Sequence, residues 1–268
     1  NLSCHFTVGD AEDAAEYVYR HPGIGTDKIV DRRAELEALS LARDLGIDRT
    51  FVTGDPDKGW KISRFISDSR NLDASRPDEL EQAMRMDRSL HESGTALSRN
   101  FDFITEGIKY ERILKQYGPI DVPGYDELRE KVLRLKKFAD ADQYPIVISH
   151  NDFFYLNFLI DEAGTYSLID WEYAGMQDPH IDIAMFCIYA GYDRKQADEL
   201  IDLYFEGKCE KMTRIKIYAY MAVSGMLWSN WCEYKRTLGV DFGEYSLMQY
   251  RYAKDFYRIV QEELAKEE

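Results

Sequence analysis

The stretch Ser149-His150-Asn151-Asp152-Phe153-Phe154-Tyr155-Leu156-Asn157, followed by Ile169-Asp170-Trp171-Glu172-Tyr173-Ala174, decides how this chain reads. It is the densest cluster of groups able to do chemistry. The apolar run Ile146-Val147-Ile148 leads into it. Two more such runs, Phe158-Leu159-Ile160 and Ser167-Leu168-Ile169, follow it, with a hairpin turn at Gly164-Thr165 between them. Asp152 is a carboxylate at a strand exit, Asn157 is an amide five residues on, and Asp170 is a second carboxylate thirteen residues further. A hydroxyl losing its proton needs a carboxylate such as Asp152 to orient it and accept that proton. Magnesium bridging phosphates needs oxygen ligands such as those of Asn157 and Asp170. The competing reading makes His150 and Asp152 turn caps and Asn157 the partner of a buried backbone group. Asp170 after an apolar β run, with Trp171-Glu172-Tyr173-Ala174-Gly175 behind it, favours the chemical reading.

Working outward, the first 66 residues read as strand, strand, helix, strand, strand. Ser3 to Val8 and Glu16 to Arg20 are β-prone, with a turn near Gly9-Asp10. Thr26-Asp27 is expected to cap a helix from Lys28 to Leu45, with Ile29, Leu36, Leu39 and Leu45 on its apolar side and Gly46 as its stop. Thr50 to Thr53 and Trp60 to Ile66 complete the β-rich part. Beyond it the chain is expected to be mostly helical, near 77–91, 106–117, 125–139 and from 181 to the end, apart from the β runs around the opening motif. The class is therefore α+β with two lobes: residues 1–66 form a small β-rich N-lobe and residues 67–268 a larger, mostly helical C-lobe, with a linker near 66–75.

Composition narrows the partners. The chain has 268 residues and a formal net charge of -15, a poor match for nucleic-acid phosphates and a good one for a cationic small substrate. Four cysteines, Cys4, Cys187, Cys209 and Cys232, lie far apart with no metal-ligand spacing, so reduced thiols in a cytoplasmic protein are expected. No apolar run approaches a membrane span. The chain opens directly on a strand, so its natural start is expected upstream. Monomer and homodimer are both open.

The order of catalytic Asp, Asn five residues on and Asp at a strand end matches the protein-kinase arrangement. In detail, 149–157 with 169–174 resembles the choline and ethanolamine kinases, within the wider aminoglycoside-phosphotransferase-like group with its protein-kinase-like fold. The likeness runs along essentially the whole chain. It implies ATP and Mg2+ as cofactors. Arg20, in Tyr17-Val18-Tyr19-Arg20-His21-Pro22-Gly23, stands where a basic residue meets the ATP phosphates, and Glu35 resembles the helix glutamate paired with that base. Ser63-Arg64-Phe65-Ile66 resembles the hinge, so the backbone of Arg64, Phe65 and Ile66 is expected at adenine. Asp178-Pro179-His180-Ile181-Asp182-Ile183-Ala184 resembles the start of the family's next helix. A glycine-rich turn precedes this point in the family, and Asn1 stands at its last position.

The acceptor rests on a separate feature. Trp228 and Trp231 are three residues apart and share one helical face. A trimethylammonium group donates no hydrogen bond, so aromatic ring faces are what bind it. The resembled family carries a Trp-x-x-Trp box here, which implies choline as substrate and phosphocholine and ADP as products. Tyr173 and Glu172 beside Asp170, and Tyr245 in the last helix, are the further candidate substrate contacts. A Met and Trp stripe also suits plain core packing, as do Tyr189, Tyr192, Tyr252 and Phe256. Rival acceptors are ethanolamine, thiamine and an aminoglycoside. A catalytically silent choline-binding protein is the rival outside enzymes.

Overall fold

Aromatic and β-branched residues crowd the first twenty positions, and they form a hairpin. β1 (Leu2–Val8) pairs antiparallel with β2 (Ala15–His21) from Leu2↔His21 to Val8↔Ala15. The computed structural model describes residues 2–10, 14–23, 26, 30–118, 120, 122–142 and 144–266. The expected roles of Asn1, Asp27, Lys28 and Ile29 therefore lie outside the described residues. Contacts divide the chain into two units, residues 1–100 with 147–176 and residues 101–146 with 177–268.

In the first unit α1 (Arg32–Asp44) begins where Asp31 accepts hydrogen bonds from the Arg33 and Ala34 amides. Asp31 caps this helix, correcting the expected cap at Thr26; the Thr26 hydroxyl instead donates to Gly23 O at 2.8 Å. Leu39 is buried as expected, but Leu45 is exposed, because the helix has ended there and Gly46 turns the chain with φ 73°. β3 (Phe51–Asp55) and β4 (Trp60–Arg64) complete an antiparallel sheet in the order β1-β2-β4-β3, and α1 packs on β3. That order sets Arg20 directly across from Lys61. Cross-strand partners share a sheet face, so two cations stand side by side and need anions in front of them.

The segment after the sheet is not plain linker. It holds β5 (Arg70–Asn71), a strand too short and polar to show in sequence, pinned by Arg70 on the buried carboxylate of Glu79 in α2 (Pro77–His91). β5 pairs with β7 (Phe158–Ile160), and β7 with β8 (Tyr166–Leu168). β6 (Val147–Ser149) pairs with β9 (Gly175–Gln177), a second strand that sequence patterning missed.

The second unit is helical: α3 (Phe103–Tyr117), α4 (Tyr125–Ala139), α5 (His180–Ala190), α6 (Arg194–Phe205), α7 (Lys211–Thr237) and α8 (Glu244–Leu264). α3 begins three residues before the expected Glu106 because Asp102 caps it, accepting from the Thr105 amide at 2.7 Å. α7 is buried along most of its length and contacts α3, α4, α5 and α8, which explains its lack of a polar face. Gly225 allows α8 to approach: a Cβ there would lie 2.6 Å from Gln249 O. Lys216, buried in α7, is held by Asp142 at 2.7 Å and by Asp178 ahead of α5. No described helix is long and apolar enough to cross a membrane.

Candidate active site

The β7–β8 hairpin explains the spacing between Asn157 and Asp170. Its register runs Phe158↔Leu168, Leu159↔Ser167 and Ile160↔Tyr166, and Gly164, with φ 75°, closes the turn. Continuing that register by one step sets Asn157 beside Ile169, and the Ile169 amide donates to Asn157 O at 2.9 Å. Asp170 is the next residue. Three-residue strands and a tight turn thus set the backbone of Asn157 beside the residue before Asp170, thirteen positions on in sequence.

Asp152 is fixed by its neighbours. Its amide donates to His150 Nδ1 at 3.3 Å, and His150 Nε2 lies 3.0 Å from Ile169 O. An accepting Nδ1 puts the ring proton on Nε2, which donates to that carbonyl. Trp171 packs its ring against His150 and donates its own N–H to Leu168 O. Asn151 adopts a left-handed backbone, φ 63°, and its amide group donates to Tyr173 O at 3.1 Å. The Asn157 side chain donates from Nδ2 to Asp152 O at 3.0 Å and Asp152 Oδ2 at 3.3 Å. That bond orients the Asp152 carboxylate and leaves Oδ1 as the group Asn157 offers elsewhere.

Asp170 also has a left-handed backbone, φ 70°, and faces the cations of the sheet. Its Oδ1 accepts from Arg20 Nη1 at 2.9 Å and lies 3.5 Å from Lys61 Nζ. Burial pushes its carboxyl up, but Lys61 and Arg20 outweigh burial and hold it below the usual carboxylate range. Glu172 moves the other way: burial and the adjacent charge of Asp170 push it up. Burial opposes the charge on Lys61, and Asp170 and Glu35 more than offset it, raising the ammonium above its ordinary value.

The direct Arg20–Glu35 pair expected from sequence is corrected. Glu35, 2% exposed, accepts from Lys61 Nζ at 2.7 Å and Arg32 Nη1 at 2.6 Å, while Arg20 bonds Asp170. Lys61 and Arg32 were missed. The partners of Lys61 are known only once the strand order is known; Arg32 lies one helical turn before Glu35, an i,i+3 spacing that sequence does show.

The residues present fit a hard divalent cation. One carboxylate oxygen each from Glu35, Asp170 and Glu172 lies within 4.8 Å of the others, an all-oxygen set. Glu172 Oε2 is buried without a hydrogen bond, with Arg32 Nη1 at 3.6 Å. Beside this cluster is a cavity of about 260 Å³ lined by Val18, Leu39, Lys61, Arg64, Phe65, Ile66 and Asp170, among others. In the hinge segment the Arg64 amide donates to Thr50 O at 2.7 Å and the Phe65 amide to Glu16 O at 2.9 Å. Asp48, unnoticed in sequence, also lines this cavity; burial pushes its carboxyl up, and Thr50 binds one of its oxygens.

Glu172 and Tyr173 belong to the first unit, and Trp228, Trp231 and Tyr245 to the second. Trp228 meets Trp231 edge to face at 5.3 Å, Trp231 meets Phe242 at 5.0 Å, and Phe242 meets Tyr245 at 6.4 Å. Trp228 is also core: it is 5% exposed and donates to Met185 Sδ at 3.4 Å. Lys235 Nζ lies 5.4 Å from the Trp231 ring centre, so that ring already receives a cation. Glu233 is engaged by Arg236 and Ser246.

Comparison with known proteins bears on this geometry. The model of the phosphotransferase enzyme family (APH) matches residues 5–218. The structure of choline kinase LicA from Streptococcus pneumoniae superimposes with a TM-score of 0.82 at 26% identity, covering 95% of this chain and 89% of that one. A structure of LicA in complex with AMP gives a TM-score of 0.81 at 27% identity, covering 92% and 85%. A probable ethanolamine kinase of Arabidopsis thaliana is 37% identical over 197 residues, 69% of this chain and 52% of that protein. The fold is kinase-like, with a small antiparallel sheet and a larger helical part.

Proposed function

Because the chain belongs to the phosphotransferase enzyme family, we propose that it transfers the γ-phosphoryl group of ATP to the hydroxyl of choline, giving phosphocholine and ADP. The observation that carries this is the bonding of Asn157 to Asp152 next to Asp170, which joins a proton acceptor to an oxygen-ligand set. Asp152 orients the alcohol and takes its proton as the phosphoryl group moves. Asn157 keeps that carboxylate in place with its N–H and offers Oδ1 to the metal, together with Asp170 and, next to it, Glu172. Asn157, Asp170 and Glu172 would hold Mg2+, whose charge would offset that building on the phosphates. Arg20 and Lys61 hold Asp170 ionised and present positive charge for the phosphates, and Glu35 and Arg32 keep Lys61 in place. The cavity at Arg64, Phe65 and Ile66 is assigned to adenine, with residues 1–66 as the nucleotide-binding lobe and 67–268 as the catalytic one; that the similar LicA has been solved with AMP favours a nucleotide as ligand. A reaction that consumes ATP suits the cytoplasm.

Choline is favoured by the Trp228–Trp231 pair and the net charge of -15. Recognition of the ammonium is assigned to Trp228 and Trp231, with Tyr245, Tyr173 and Glu172 as further candidate contacts. The second reading is ethanolamine as acceptor, favoured by the 37% identity to the Arabidopsis protein. A panel of choline, ethanolamine, thiamine and an aminoglycoside, with ATP and Mg2+ and ADP release as readout, separates them. Choline should give the highest kcat/KM; a higher value for ethanolamine would replace the first reading with the second. Trp228→Ala should raise the choline KM by roughly tenfold or more, the loss of one desolvated ring contact of about 2 kcal/mol, with little change in the ATP KM. Equal changes in both would make Trp228 purely structural.

A further inference from the structure

The backbone around Asn157 is clamped from outside the catalytic loop by Asn71. Its side-chain Nδ2 donates twice, to Leu156 O at 2.7 Å and to Phe158 O at 3.1 Å. These are the carbonyls on either side of Asn157. They converge on one amide because the chain changes there from a 3-10 turn, Tyr155–Asn157, to the extended β7. The backbone groups of Asn157 itself are also taken: its N–H donates to Phe154 O at 2.8 Å, and its carbonyl accepts from Ile169.

Asn71 is itself well anchored. Its strand pairs Asn71↔Leu159, so main chain and side chain grip the same segment. Behind it, Arg70 makes two bonds to Glu79, the Asp73 amide donates to Glu79 Oε2 at 2.9 Å, and Leu72 is 2% exposed. Glu79 is buried at the start of α2. Four residues separate Asn71 from the hinge residue Ile66.

We infer that Asn71 is a positioning residue that fixes Asn157 as a metal ligand and ties its placement to the strand following the hinge. This rests on the reading of Asn157 as a metal ligand given above. Asn71 acts through Asn157, by holding the distance between the two carbonyls that flank it. Water can replace either hydrogen bond at this exposed position, but it cannot hold that distance. Groups that orient a metal ligand typically contribute about 10- to 100-fold to metal affinity or activity.

The test compares the full chain with Asn71→Leu, Asn71→Gln and Asn157→Ala. Asn71 is exposed, so these changes leave the core intact. Mn2+ affinity in the presence of ADP is read by electron paramagnetic resonance. ADP affinity without metal is read by calorimetry, and amide exchange of the segment 154–160 is followed in the metal-free protein. Asn71→Leu should weaken Mn2+ binding by about tenfold, speed exchange at Asn157 and Phe158, and leave metal-free ADP binding unchanged. Asn71→Gln, which keeps the donor group, should recover part of the loss. If Asn157→Ala weakens Mn2+ and Asn71→Leu does not, the inference fails while the function stands. If Asn71→Leu weakens metal-free ADP binding equally, Asn71 serves the hinge and the inference also fails. If Asn157→Ala leaves Mn2+ binding unchanged, Asn157 is no ligand, and both readings fall.

Discussion

Lys61 shows most clearly what single residues contribute here. It is a buried ammonium opposite another cation, Arg20, and it persists because Glu35 and Asp170 stand against it. Lys61→Met removes one partner from each carboxylate and keeps the volume. Glu35 keeps Arg32 and Asp170 keeps Arg20, so the fold should survive with a loss of about 1–3 kcal/mol, measured by urea unfolding, and with depressed turnover. An unchanged unfolding midpoint would contradict the pairing. Asn151 and Asp170 add a second kind of constraint, since both sit in the left-handed region that non-glycine residues seldom occupy. Such backbone persists where the surroundings over-determine it, and here the Asn151–Tyr173 and Arg20–Asp170 bonds do so.

At the scale of elements, the β7–β8 hairpin sets the site's geometry. Inserting one glycine between Gly164 and Thr165 would have to be absorbed in the turn or would slip the register. A slip would move Asp170 away from Asn157. The expected result is a loss of activity of about 100-fold or more with circular dichroism unchanged; retained activity would show that the turn absorbs the residue and that register is not what sets the spacing. In the second unit, Asp178 joins the start of α5 to α7 through His180 and Lys216. Burial pushes its carboxyl up, but the His180 bond and Lys216 hold it down at about 2. A depressed carboxyl stabilises the fold above its unfolded value and loses that contribution as pH falls through the folded one. The stability gap between wild type and Asp178→Asn should therefore be about 2 kcal/mol above pH ~4.5. It should close between about pH 4 and pH 2. A gap independent of pH over that window would rule out the charge as its cause.

At the scale of the whole molecule, sequence was informative where function is local. Asp152, Asn157 and Asp170 fall within nineteen residues joined by one hairpin, so spacing alone singled them out, and the structure bonds Asn157 to Asp152 and pairs the residue before Asp170 with Asn157. Helices α2 and α4 matched the expected bounds, α2 opening on Pro77 at its first turn. Lys61 and Asn71 stayed hidden because their partners lie across strands or in another segment, at separations that only the sheet order closes, whereas Arg32 sits one helical turn before Glu35, a spacing legible in sequence. The Arg20–Glu35 pairing was misread for the same reason: sequence showed one cation near the helix glutamate, and the sheet supplies another. The Trp pair was legible as a shared face, whereas its double duty as core and ring surface depends on how fully α7 is enclosed.

Phosphocholine formation by the wild-type chain and by Asp152→Asn, followed by phosphorus NMR with ATP, Mg2+ and choline, bears most directly on Asp152 as the base. The wild type should form phosphocholine in step with ADP, and Asp152→Asn should be slower by about 100-fold or more with the ATP KM little changed. Near-normal turnover by Asp152→Asn, or ADP released without phosphocholine, would contradict it.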